Sequence, residues 1–186
     1  MRLYIKNMVC NRCITVVRQE FDKMNLYPLQ VKLGEVELQN SPDTNHLNLL
    51  NENLKRHGFE ILSDKRQEQI EKTKNLIIEK VQSGDIPGHF VISEYLSKSL
   101  NKEYSHITRL FSEVEGVTIE QFFILQKIEK IKEWIVYGEL TLSEIAWKLG
   151  YSSIAHLSAQ FKKMTGLAPS HFKNMGVGHR KSLDKI

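Results

Sequence analysis

The chain has 186 residues, 41% of them hydrophobic and 26% charged, with a formal net charge of +4 at pH 7. That composition suits one or two small globular domains and excludes global disorder. No apolar run approaches the roughly 18 residues that a membrane helix needs. The opening stretch, Met1-Arg2-Leu3-Tyr4-Ile5-Lys6-Asn7, alternates rather than forming an apolar block. It does not read as a signal peptide, so a cytoplasmic, reducing setting with no membrane association is expected. The charge is unevenly spread: residues 1–63 carry +1, residues 64–140 carry −2 and residues 141–186 carry +5. Phosphate contacts are therefore sought first toward the C-terminus.

Residues 1–63 read as βαββαβ. Leu3 and Ile5 alternate with polar neighbours as a short strand, and Ile14, Val17, Phe21 and Met24 step at helical spacing. Leu29, Val31 and Leu33 alternate, Gly34-Glu35 offers a two-residue turn, and Val36 and Leu38 resume the alternation. That is a hairpin. Leu47, Leu50 and Leu54 mark a second helix closed by Gly58, and Phe59-Glu60-Ile61-Leu62 is the last strand. The order is that of a ferredoxin-like unit.

Residues 64–67 read as a short polar link, and beyond them no strand pattern recurs. Ile70, Ile77 and Val81 mark a helix ending near Gly84, and short helices follow at Ile92–Leu100 and about Tyr104–Val114. Thr118-x-x-Gln121 is a capping box opening a long helix to Tyr137, where Gly138 stops it. Thr141-x-x-Glu144 opens a helix to Leu149; another runs from Ser153 to Met164, and Pro169 starts a last one. Residues 176–186 form a Gly- and Lys-rich tail that is expected to fray. Residues 92–116 and 142–166 echo each other: helix, turn, helix, then glycine, with Ile107 to Phe111 matching Leu157 to Phe161. Two helix-turn-helix units joined by a long helix are predicted, making the whole chain α+β with an all-α second domain at 68–175.

The helical part resembles the DNA-binding domain of the AraC/XylS family of transcriptional activators. The resemblance is carried by Leu142-x-x-Ile145-Ala146-x-x-Leu149-Gly150-Tyr151-Ser152-Ser153 and by Leu157-Ser158-x-x-Phe161-Lys162-Lys163-x-Thr165-Gly166-Leu167-x-Pro169. The first unit adds Ser105-His106-Ile107-Thr108-Arg109-Leu110-Phe111, then Gly116 and Phe122. It implies double-stranded DNA as partner, with RNA polymerase as a further partner and a monomeric or homodimeric state. In the first unit, Ile107, Leu110, Phe111 and Val114 are expected inward. Ser105, Thr108 and Arg109 are expected outward, with Arg109 placed to contact guanine through two hydrogen bonds. In the second unit Leu157, Phe161 and Met164 are expected in the core. Ser153, Ala155, His156, Ser158, Ala159, Lys162 and Lys163 are the candidate DNA contacts. Helical spacing puts Ile154 with the core, although the resemblance aims it at the groove. Where the family commonly offers amide or guanidinium groups this sequence has Ile154, Ala155 and Ala159. Methyl readout with phosphate contacts from Lys162 and Lys163 is the expectation for that helix. Ser112-Glu113 departs from the basic pair common at that place, which lowers the phosphate grip expected of the first unit.

Both cysteines of the chain fall in Met8-Val9-Cys10-Asn11-Arg12-Cys13, between the first strand and the first helix. With Gly58-Phe59 before the last strand, this resembles the heavy-metal-associated domain of copper chaperones and metal-transporting ATPases. The resemblance implies that Cys10 and Cys13 hold a soft ion such as Cu(I) or Zn(II). A helix N-terminus is expected to lower the thiol pKa there. The family's glycine before this motif is Asn7 here, and Met8 is expected under the loop rather than as a ligand. From the residues alone, metal binding, thiol redox sensing and an inert loop all stay open.

The chain thus reads as a DNA-binding regulator with a metal- or redox-responsive N-terminal domain. Rival readings are a regulator whose N-terminal domain is a partner or dimerisation surface, and a metal-trafficking protein. No enzyme is indicated: there is no Gly-rich phosphate loop, paired carboxylate set or nucleophile–base pair.

Overall fold

The computed structural model describes residues 1–175 of the chain, which divide into two compact units, Met1–Asn75 and Leu76 onward. The tail assigned from sequence to residues 176–186 lies outside the described residues.

In the first unit, β1 (Arg2–Lys6), α1 (Asn11–Lys23), β2 (Pro28–Lys32), β3 (Glu35–Leu38), α2 (Thr44–Arg56) and β4 (Glu60–Leu62) follow in the expected order. The sheet is antiparallel throughout, ordered β2-β3-β1-β4, with Leu3 opposite Val36 and Ile5 opposite Ile61. Alternation along β1 aims Leu3 and Ile5 at Val17 and Phe21 of α1 and Leu50 and Leu54 of α2, forming one core. Tyr4, between them, faces the other way, and Lys72 Nζ of α3 (Lys65–Gln82) sits 3.9 Å from its ring centre. Asn75 Nδ2 donates to the Leu33 carbonyl at 3.3 Å. The first part of α3 therefore lies on the face of the sheet that α1 and α2 leave open.

Two local features of the hairpin differ from the expected ones. The two-residue turn is Leu33-Gly34, since Lys32 is already paired with Glu35. Gly34 takes a left-handed φ of +71°, and a Cβ there would run into the Asn75 side chain, so no other residue fits as well. A register shift between Pro28 and Gln30 turns Leu29 out to 64% exposure, leaving Val31 as the buried residue of β2.

The link at 64–67 is also different. Asp64 caps a helix: its carboxylate accepts from the Arg66 N–H at 2.9 Å and its carbonyl from the Glu68 N–H. Lys65–Gln67 are consequently the first turn of α3, and the division between units falls within that helix at Asn75.

The second unit holds the end of α3, then α4 (Ile92–Leu100), α5 (Tyr104–Glu115), α6 (Ile119–Tyr137), α7 (Leu142–Lys148), α8 (Ile154–Thr165) and α9 (Pro169–Met175). Both predicted capping boxes are present, at Thr118 with Gln121 and at Thr141 with Glu144. Helix α6 is buried almost all round. Ile128, Ile131 and Ile135 join a core with Ile145, Leu149, Leu157, Phe161 and Phe172. Its buried charges are met locally: Lys132 pairs with Glu129, and Lys130 reaches Gln82 at 2.9 Å and Glu133 at 3.0 Å. Lys127 instead lies 3.8 Å above the Tyr151 ring, and burial lowers its pKa to about 8.

The internal echo is a true structural repeat at an offset of 50 residues, Ile107 with Leu157, Phe111 with Phe161 and Phe122 with Phe172. Gly116 and Gly166 end α5 and α8 with φ of +70° and +78°. Phe111 meets Phe122 edge-on at 5.6 Å, and Phe161 meets Phe172 edge-on at 5.5 Å.

Candidate functional site

Two surfaces carry the candidate chemistry. The first is the outer face of α5 and α8, the second helix of each helix-turn-helix. On α5, Ile107, Leu110 and Phe111 are buried, so Ser105 and Arg109 project on the opposite side and are exposed, with Thr108 half-buried beside them. The Tyr104 hydroxyl at the start of α5 donates to the Glu120 carboxylate, and burial raises its pKa well above the ordinary tyrosine range. This bond ties the first turn of α5 to the start of α6.

On α8, Ser153 is the N-cap, its Oγ accepting from the His156 N–H at 3.1 Å. His156 Nδ1 is also 3.1 Å from Ser152 Oγ, and its ring stands edge-on to Tyr151 at 5.3 Å. The Tyr151 hydroxyl in turn donates to Gln160 at 2.6 Å. His156 is thus part of the device that sets the turn, as well as an exposed neighbour of the outer face. Ala155, Ala159, Lys162 and Lys163 are exposed together on that face and Ser158 is half-buried.

Three residues expected in the core are outside it. Val114 is 52% exposed and Met164 is 40% exposed, and these two occupy equivalent places in the repeat. The edge-on phenylalanine pairs already fill the space at the end of each helix, so the residue three positions on is turned to solvent. Ile154 is 44% exposed. It is the first residue of α8, and a helical side chain covers the turn on its N-terminal side, which here does not exist. The exposed Trp147 of α7 gave no signal in the sequence, because its neighbours Ile145 and Ala146 supply the periodic apolar pattern.

The second surface is the thiol pair. Cys10 is the N-cap of α1 and Cys13 lies in its first turn, with the Cys13 N–H donating to the Cys10 carbonyl at 3.0 Å. The sulfurs are 3.5 Å apart, and both cysteines are half-buried. Met8 is fully buried in the core below. Asn7 takes a left-handed φ of 68°, tolerable for asparagine and freer for glycine, and its Nδ2 donates to the Gly58 carbonyl at 2.9 Å. Burial raises the Cys13 thiol pKa, outweighing the hydrogen bond from the Val9 backbone. This corrects the lowered value expected from the helix N-terminus. Among the described residues no group of three or more His, Cys, Asp or Glu side chains converges. Asp43 caps α2 by accepting from the His46 N–H and lies 2.6 Å from His46 Nδ1, and His57 sits 3.2 Å from Glu20, so the donor set is the two sulfurs. Two bonds of about 2.3 Å to one ion can span sulfurs 3.5 Å apart, so the pair fits a soft metal.

No helix among the described residues is long and apolar enough to cross a membrane. Residues 96–175 match the family described as Helix-turn-helix domain. The chain is 21% identical over 98 residues to the bifunctional transcriptional activator/DNA repair enzyme AdaA of Bacillus subtilis, covering 46% of each. It is 32% identical over 82 residues to an uncharacterized HTH-type transcriptional regulator of Staphylococcus aureus, covering 44% of this chain and 10% of that one. The chain thus spans less than half the length of these curated relatives. Among solved structures it is similar to the C-terminal domain of AraT, a response regulator from Geobacillus stearothermophilus. That likeness has a TM-score of 0.50 at 19% identity and covers 61% of this chain and 91% of that one. From within α4 to the end of α9 the chain therefore matches a helix-turn-helix domain in sequence, and its second unit shares the fold of the AraT C-terminal domain.

Proposed function

We propose that the chain is a sequence-specific, DNA-binding transcriptional regulator whose N-terminal unit responds to a soft metal ion, Cu(I) or Zn(II), at Cys10 and Cys13. The observation that carries the DNA-binding part is the pair of outward recognition faces on α5 and α8, within residues matched to a helix-turn-helix family. Arg109 supplies hydrogen-bonded base readout, Lys162 and Lys163 hold phosphates, and RNA polymerase is the downstream partner.

The metal-responsive part rests on two sulfurs 3.5 Å apart at the start of α1. The strand order β2-β3-β1-β4, with α1 and α2 sharing one face, supports a ferredoxin-like reading of this unit. A bound ion supplies positive charge and holds both sulfurs as thiolates; Asn7 and the buried Met8 fix the loop that presents them. A second reading, a metal-independent regulator with the N-terminal unit as a partner surface, is favoured by the exposed Tyr27 and Leu29 at the edge strand β2.

The test is selection of binding sites from a random duplex library by the purified chain, with and without Cu(I) or Zn(II) under reducing conditions. A single enriched motif is expected, with metal changing affinity for it. Absence of an enriched motif rejects the regulator reading. An enriched motif bound equally in both conditions rejects the metal response and leaves the second reading standing.

A further inference from the structure

We infer that the second helix-turn-helix reads thymine by its 5-methyl group, with Ile154 and Ala155 as the specificity-determining residues. This rests on the DNA-binding reading above.

The repeat makes the two recognition helices directly comparable. At the offset of 50 residues, Ser105 and Arg109 of α5 correspond to Ala155 and Ala159 of α8. The first helix therefore presents a hydroxyl and a guanidinium where the second presents two methyl groups. Exposed Ile154 widens that apolar surface at the N-terminal turn, the part of a recognition helix that meets base edges. The polar groups nearby are engaged: Ser153 Oγ accepts from the His156 N–H and His156 Nδ1 is paired with Ser152.

The charge on the same helix points to what this exposed apolar turn meets. Lys162 and Lys163 stand exposed about two turns further along, and α8 contains no acidic residue. That combination fits a polyanion with an apolar feature in its interior. In the major groove the apolar feature of a base edge is the thymine methyl. The lysines meet phosphates while Ile154 and Ala155 cover the methyl. The chain thus joins hydrogen-bonded readout in the first unit to methyl readout in the second.

The test uses the full chain and a duplex enriched from a random library, with each thymine replaced singly by deoxyuridine. This removes one methyl and keeps every hydrogen bond. In one half of the site, at least one replacement is expected to weaken binding about fourfold, the loss of one buried methyl. The same replacement should cost Ile154→Ala combined with Ala155→Gly nothing, whereas Arg109→Ala should keep the full penalty. Far-ultraviolet circular dichroism and affinity for the deoxyuridine duplex confirm that the double variant is folded. Neutral deoxyuridine replacement throughout an enriched site overturns the inference and spares the DNA-binding reading. So does an undiminished penalty in the double variant. Failure to enrich any site removes both.

Discussion

Arg109 and Ala159 hold the same place in the two halves of the helical unit, yet one is a five-donor guanidinium and the other a methyl. Arg109→Ala should therefore change which sequence is preferred. Specific binding is expected to fall by about 1–3 kcal/mol, with little change in non-specific binding, as read by competition titration against random duplex. An unaltered preference assigns base readout in the first unit elsewhere. Cys10 and Cys13 make a second residue-scale case. The Cys13 thiol, raised by burial, must lose its proton for metal to bind. Binding should weaken as pH falls, because protons compete for the sulfurs. Cys10→Ser with Cys13→Ser should abolish binding of one soft ion per chain, and competition with a chromogenic chelator measures both effects. The motif was legible as a string of letters. That its thiol is raised was not, since burial depends on the strand, helix and loop packed around it.

At the scale of elements, caps and glycines decide where helices stop. Gly150 and Gly166 both adopt positive φ, +67° and +78°, but their surroundings differ. A Cβ on Gly166 meets nothing, whereas one on Gly150 comes within 2.9 Å of the Ile86 and Pro87 carbonyl oxygens. Gly166→Ala should cost about 1–2 kcal/mol from the left-handed backbone alone. Gly150→Ala should cost clearly more, because backbone must move as well. Urea unfolding of the two variants side by side gives the comparison. Sequence periodicity located α4 to α9 closely, since capping boxes and terminal glycines are local signals. It placed Val114, Met164 and Ile154 inward because helical period says which side a residue is on. Period does not say whether the neighbouring helix still has room there.

Helix α6 is the element on which the second unit is built, and Lys127 leaves a measurable trace in it. With a pKa of about 8 when folded against an ordinary 10.5, the native state gives up this proton before the unfolded state does. The unfolded chain binds more protons between those values, so stability should rise from about pH 8 to pH 10, by at most about 3 kcal/mol. Below pH 8 both states are protonated and the effect is flat. Above pH 10 the raised tyrosines Tyr95, Tyr104 and Tyr151 oppose it, since each stays protonated longer in the fold. Lys127→Met should abolish the rise, measured by urea unfolding at successive pH values.

For the whole molecule, charge and architecture divide the work. Residues 141–186 carry +5 while residues 64–140 carry −2. Salt dependence of DNA binding should accordingly sit mostly with the second helix-turn-helix. Lys162→Ala is expected to reduce the slope of log affinity against log salt by about 1 without altering the preferred sequence. The amino-acid sequence by itself determined the order of elements, the βαββαβ pattern followed by helices, and the 50-residue echo. These follow from periodicity, capping and spacing, which act over a few neighbouring residues. Only the tertiary structure decided that α3 begins at Lys65 and covers the open face of the sheet. It also decided that Ile154 is exposed and that the two sulfurs lie 3.5 Å apart. Each of these depends on which surface meets which, and packing between segments distant in the chain settles that.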